Sequence, residues 1–149
     1  MSDYLEGIPT VDLNLFLNGT DSEKNEFVNQ LGKEYEDIGF VAVKNHLISD
    51  VEIGALYTEV KNFFSLSQEV KTSYEIEGLA GQRGYISFGR EHAKDSSAGD
   101  LKEFWHFGQE VVDGDPIKSQ YPDNVFTKET PNFHEVGLKA YKSLETTGK

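Results

Sequence analysis

Apolar side chains recur along this chain with two different periods. In "IPTVDL", Ile8 to Leu13, apolar and polar positions alternate behind a proline, the pattern of a short strand that enters a sheet at its edge. Phe27, Leu31, Tyr35 and Ile38 then follow at steps of three or four, which places them on one face of a helix. Thr20-Asp-Ser-Glu23 has the spacing of a capping box at the start of that helix, and Gly39 supplies its stop. "FVAVK", Phe40 to Lys44, is a nearly continuous apolar run between Gly39 and Asn45, which predicts a strand covered on both sides.

A second helix is predicted behind another capping box, Ser49-Asp-Val-Glu52, with Ile53, Leu56, Val60 and Phe63 as its apolar face. "LSQEVKTSY" adds a short helix. Gly78, Gly81, Gly84 and Gly89 then punctuate "GLAGQRGYISFG" and predict a loop whose backbone comes close to another group. "SSAGD" reads as a flexible connector and "FWHFGQEVV" as a strand. From Asn132 onward, Phe133, Val136, Ala140, Tyr141 and Leu144 form a last helical stripe, which reaches "TTGK" without a closing cap. The mixture of periods predicts an α+β fold, and the open last stripe predicts a chain that continues beyond Lys149.

Length and composition narrow this further. A chain of 149 residues, 37% apolar and 12% aromatic, is expected to fold around a core as one unit and is not a disordered segment. Its 26 acidic against 14 basic residues, a formal charge of -12, repel phosphate backbones and anionic lipids, so neither nucleic acid nor a membrane is an expected partner. The absence of cysteine removes disulfides, thiolate nucleophiles and thiolate metal sites together. "MSDYLEG" lacks the basic start and apolar run of a signal peptide, and no run is long enough to cross a bilayer, so the expected location is cytoplasmic.

The segment "HAKDSSAGDLKEFWH" offers ligand chemistry, with His92, Asp95, Asp100, Glu103 and His106 close together. A non-haem iron site takes two His and one carboxylate on one face of the metal, commonly with one His two residues from the carboxylate on a strand. His92 and Asp95 are three apart, as are Glu103 and His106, and "SSAG" interrupts any helix that would align them. A solvated loop and strand therefore outweighs a small metalloenzyme built on His92, Asp95 and His106. The glycines do not form a phosphate loop, since Gly-x-x-x-x-Gly-Lys-Ser/Thr is missing.

Arg83 and Arg90, the only arginines, both lie in the Gly-rich segment with Tyr85 between them. Arginine holds carboxylates bidentately, so the loop is a plausible anchor for an anionic substrate, set against a plain ion pair with one of many acidic neighbours. His46, behind the "FVAVK" run, is expected to fix a turn through its ring nitrogens, and His134 to be solvated on the polar side of the last helix.

In order, "IPTVDL", "YEDIGFVAVKNH", "FFSLSQEVKTSY", "GQRGYISFGRE", "DLKEFWHFGQE" and "YPDNVF" resemble the N-terminal region of the 2-oxoglutarate/Fe(II)-dependent oxygenases of the isopenicillin N synthase type, over nearly the whole chain. In that family a His-x-Asp motif with a distal His holds iron, and Arg-x-Ser holds 2-oxoglutarate, all in a C-terminal double-stranded β-helix. None of these motifs occurs here. The resemblance implies that residues 1–149 are a scaffold whose few strands complete that jelly roll. Catalytic and metal-binding residues would then lie in an absent C-terminal domain, this chain's own partner, and Fe(II) and 2-oxoglutarate would be cofactors of the full-length parent. It also places "GQRGYISFG" near the substrate entrance, with Arg83 and Tyr85 as substrate-binding residues for a small molecule. The alternative is a free-standing binding or regulatory module derived from the same fold.

Overall fold

A computed structural model describes residues 7–90 and 99–149. The chain divides into two compact units, residues 1–49 and 50–149, each with its own apolar cluster.

In the first unit, β1 (Thr10–Asp12) pairs in parallel with β2 (Ala42–Lys44), Thr10 opposite Ala42 and Asp12 opposite Lys44. Parallel strands need a long crossover, and α1 (Leu13–Asn18) with α2 (Asp21–Asp37) provides it. Asp12 sits at the junction: its carboxylate accepts from the Asn14 amide at 2.9 Å, capping α1, and from Asn45 Nδ2 at 2.8 Å. The capping box of α2 forms as its spacing predicts. The Glu23 carboxylate accepts from the Thr20 amide at 2.7 Å, Thr20 Oγ1 accepts from the Glu23 amide at 3.4 Å, and the Glu23 carboxyl is held below its usual range by the bonds from Thr20. Gly39, at φ 91°, ends the helix.

Val11, Leu13 and Phe27 are the core of this unit, with Leu31, Val41 and Val43 against them. The α2 stripe is covered only at its start, because Tyr35 and Ile38 are exposed. Phe40 is exposed as well, and the predicted five-residue strand shortens to three with a single neighbour, so it is not the doubly covered strand that its apolar run suggests. Three-residue strands are too small to cover five turns of helix.

The second unit holds α3 (Asp50–Phe64), α4 (Gln68–Thr72), β3 (Gly84–Ile86), β4 (Phe104–His106) and α5 (Asn132–Gly148). Phe63 is fully buried at the end of α3. Its ring lies 4.8 Å from Trp105, 5.3 Å from Phe133, 5.9 Å from Tyr85 and 6.1 Å from Tyr74, centroid to centroid. Edge-to-face and stacked rings at these separations add about 0.5–1.5 kcal/mol per pair beyond the area they bury. Gly137 admits the cluster against α5, since a methyl group there would fall 2.1 Å from the Phe107 ring. Of the predicted stripe on α5, Phe133 and Ala140 are buried and Leu144 is exposed.

β3 arises inside the segment that its glycines mark as a loop, pairing antiparallel with β4 so that Tyr85 faces Trp105 across the ladder. Gly84, at φ 77°, makes the start possible, because a Cβ there would meet the Tyr74 carbonyl at 2.6 Å. β4 is three residues of the nine that read as a strand. Pairing stops where the Asn124 side chain takes both backbone groups of Gly108, accepting from its N–H at 2.8 Å and donating to its carbonyl at 2.9 Å. Among the described residues no helix is long and apolar enough to cross a membrane.

Candidate functional site: the β3–β4 platform

Tyr85, at 1% exposure, is one of the most deeply buried side chains. Its hydroxyl donates to the Glu103 carboxylate in a short hydrogen bond and accepts from Gln68 Nε2 at 3.0 Å. Lys71 completes the group, its Nζ donating to the two Glu103 oxygens at 2.7 and 2.9 Å, above the Tyr85 and Phe64 rings at 5.7 and 5.9 Å. Burial first, then the bond to Glu103, pushes the Tyr85 phenol up to about 12. This hydroxyl is spent inside the protein, on a charge pair that ties α4 to β4.

Tyr85 also lines a cavity of about 370 Å³ with Gly81, Ile86, Glu75 and Arg90. Glu75 accepts from the Ser87 amide at 2.9 Å and lies 3.6 Å from Arg90, whose side chain is exposed. His106 closes the ladder end by donating from Nδ1 to the Gly81 carbonyl at 2.5 Å. Arg83 is placed differently from Arg90: it is 8% exposed, its Nη1 donates to the Gln82 carbonyl at 2.7 Å, and its Nε has no partner. The plain ion pair that the sequence offers as the bland reading is thus made by Arg90, while no described carboxylate pairs with Arg83.

Of the ligand-like cluster, His92 and Asp95 lie outside the described residues. The other three are turned to separate tasks: Glu103 holds Lys71 and Tyr85, Asp100 faces Lys102 at 3.0 Å, and His106 binds Gly81. Among the described residues no three His, Asp or Glu side chains could together hold a metal ion.

Two histidine expectations are corrected. His134 is half-buried and stacked on Phe126 at 3.6 Å rather than solvated, and the His46 Nδ1 is buried with no partner instead of fixing a turn; the left-handed Asn45 does that through Asp12. Sequence reasoning missed Lys71, Gln68 and Asn124. Nothing local marks Lys71, whose partner Glu103 lies 32 residues on, or Asn124, which is 16 residues from Gly108.

The chain matches the family model described as "non-haem dioxygenase in morphine synthesis N-terminal" over residues 8–129. It is 31% identical over 142 residues to a 2-oxoglutarate-Fe(II) type oxidoreductase, ppzD, of Metarhizium rileyi, covering 91% of this chain and 40% of that protein. Against a 1-aminocyclopropane-1-carboxylate oxidase of Dictyostelium mucoroides it is 30% identical over 113 residues, 74% of this chain and 29% of the relative. A solved structure of a protein assigned to the 2OG-Fe(II) oxygenase family of Caulobacter crescentus superposes with a TM-score of 0.80 at 34% identity, over 95% of this chain and 45% of the other. The chain spans less than half the length of each of these relatives.

Proposed function

Because the chain belongs to the non-haem dioxygenase N-terminal family, we propose that it is the N-terminal part of a longer oxygenase that uses Fe(II) and 2-oxoglutarate to oxidise a small organic substrate. The observation that carries this is the agreement of fold and sequence along nearly the whole chain with a 2OG-Fe(II) family protein. In this reading the short strands join a double-stranded β-helix formed mainly by the remainder of the protein, which is the chain's principal partner. Fe(II) and 2-oxoglutarate, held by that remainder, supply the activation of O2.

The contribution of residues 1–149 is then positional. The Lys71–Glu103–Tyr85 group locks β3 and β4 against α4 and presents the cavity beside Tyr85 at the substrate entrance. Tyr85 acts there as a rigid wall beside Arg90; Arg83, outside that lining, is the cation for an anionic group on the substrate.

The test is the reading frame beyond the Lys149 codon, followed by expression of the whole open frame and measurement of succinate formed from 2-oxoglutarate with Fe(II). The expected result is a frame that contains His-x-Asp, a later His and Arg-x-Ser, and an Fe(II)-dependent release of succinate. A frame that stops at Lys149, with residues 1–149 purifying as a stable monomer, overturns the reading in favour of a free-standing module.

A further inference from the structure

Two dipeptides in this chain are prone to the same slow reaction: Asn18-Gly19, its one Asn-Gly, and Asp113-Gly114, its one Asp-Gly. In each, the backbone nitrogen of the glycine attacks the side-chain carbonyl carbon of the preceding residue and closes a five-membered succinimide, since glycine puts no side chain in the way. In an unfolded chain the Asn-Gly pair reacts first. Its amide leaves as ammonia, whereas an ionised carboxylate must take up a proton before it leaves as water. The fold reverses this order.

Asn18 is the last residue of α1 and is held there. The Gly19 N–H donates to the Leu15 carbonyl at 3.1 Å, the Asn18 side-chain amide donates to Asn14 Oδ1 at 2.8 Å, and a Cβ on Gly19 would fall 2.2 Å from the Leu15 oxygen. Attack there needs the end of the helix to unwind and both bonds to break.

Asp113-Gly114 instead forms the centre of a β-turn in the irregular stretch between β4 and α5. The Asp115 N–H donates to the Val112 carbonyl at 3.2 Å, and Gly114 takes the third place of the turn with φ 89°. The Gly114 N–H meets no acceptor among the described residues, and the space beside its Cα is empty to 4 Å. The Asp113 side chain is fully exposed, with Lys118 Nζ at 3.9 Å. Rotation about the Cα–C bond of Asp113, opposed by that one turn hydrogen bond, lets the carboxyl carbon reach the Gly114 nitrogen.

We propose that Asp113-Gly114 is a site of spontaneous modification in the folded protein. The Gly114 nitrogen bonds to Asp113 Cγ, the carboxyl OH and the amide proton leave as one water, and a second water reopens the ring. Opening at the side-chain carbonyl restores aspartate. Opening at the main-chain carbonyl gives isoaspartate, in which the backbone runs through the side-chain methylene. That extra atom falls in a loop tied down elsewhere, by Asn124 on Gly108 and by Lys118, which donates to the Val111 carbonyl at 3.0 Å and to Asp123. The turn is lost while the ties remain, which loosens the rim of a cavity of about 550 Å³ that Asp113 and Lys118 line with Phe126 and His134.

The protein expressed from its whole reading frame is kept for weeks at neutral pH and physiological temperature, with and without urea. It is then digested with the endoprotease that cuts before aspartate but not before isoaspartate, and the peptides are weighed. Without urea, cleavage before Asp113 is expected to fall progressively, with a species lighter by one water in the same peptide, while Asn18 keeps its amide. In urea, Asn18 is expected to deamidate first. Deamidation of Asn18 ahead of change at Asp113 in the folded protein, or cleavage at Asp113 that stays as complete as at Asp123, overturns the proposal. Asp113→Glu keeps the charge and cannot close the five-membered ring, so it is expected to melt as the wild type does and to lose the lighter species. Persistence of that species in Asp113→Glu places the reaction at another residue and overturns the assignment.

Discussion

Arg83 rests face-on against Gly108, with no room for a side chain between them: a methyl group on Gly108 would fall 1.9 Å from the guanidinium carbon and 2.4 Å from Nε. Gly108→Ala is therefore expected to displace a buried cation and to cost about 1–3 kcal/mol, the range for overpacking a filled site. In an Arg83→Ala background the same substitution should cost much less. Urea melts of the four proteins in that cycle measure the coupling, and strict additivity would show that the two residues do not share the space.

Asn124 stands in for a strand partner at Gly108, so its loss opens two backbone groups at once. Asn124→Ala is expected to destabilise the protein by about 1–3 kcal/mol, and Asn124→Asp by less, because a carboxylate still accepts from the Gly108 N–H. Amide exchange at Gly108 is the direct readout, and unchanged protection in Asn124→Ala contradicts the clamp.

The Lys71–Glu103 pair is buried enough for its halves to be inseparable. Lys71→Met leaves Glu103 with its tyrosine and no cation, and should cost about 3–5 kcal/mol. Lys71→Met with Glu103→Leu removes the stranded charge as well, and is expected to recover most of the loss. A double variant no more stable than the single one in guanidinium melts refutes this account.

The raised phenol of Tyr85 makes stability depend on alkaline pH. Folded, the group titrates at about 12, above the ordinary tyrosine value near 10, so the native state holds the proton more tightly than the unfolded chain. Stability is fully present below about pH 10 and is lost as pH rises from there through about 12, by up to roughly 3 kcal/mol. Tyr85→Phe should flatten this slope. Absorbance at 295 nm should show Tyr85 ionising late, together with Tyr74, whose phenol is also raised by burial and by its bond to Glu129.

Local chemistry was legible before the fold was known. The Thr20–Glu23 box lies within four residues, and the helical stripes announce α2, α3 and α5 because periodicity is a property of the segment itself. The platform was not legible. Lys71 and Glu103 are 32 residues apart, and Asn124 and Gly108 16, so no window of sequence contains either pair. β3 hid among glycines because its start, Gly84, is fitted against the Tyr74 carbonyl and Val125, and its residues are held by pairing with the opposite strand rather than by strand propensity. Polarity misled at His134, which follows Phe126 into a stack instead of the solvent that its neighbours meet. Arg83 and Tyr85 stood out as residue types, but only three dimensions separate the tyrosine, whose hydroxyl is spent on Glu103, from the arginine, whose buried Nε meets no acceptor among the described residues.

Trp105, the single tryptophan, packs against Phe63 in the ring cluster of residues 50–149 and has an indole N–H that is buried without an acceptor. Residues 1–49 contain none. The molecule thus carries an optical label on one of its two units: indole emission, blue in the native state, reports on the aromatic cluster and is blind to β1, β2 and the two helices between them. Far-ultraviolet dichroism sees both. Superimposable melts from the two signals mean that the units unfold as one cooperative system, while a dichroism change that precedes the red shift means that residues 1–49 come apart first.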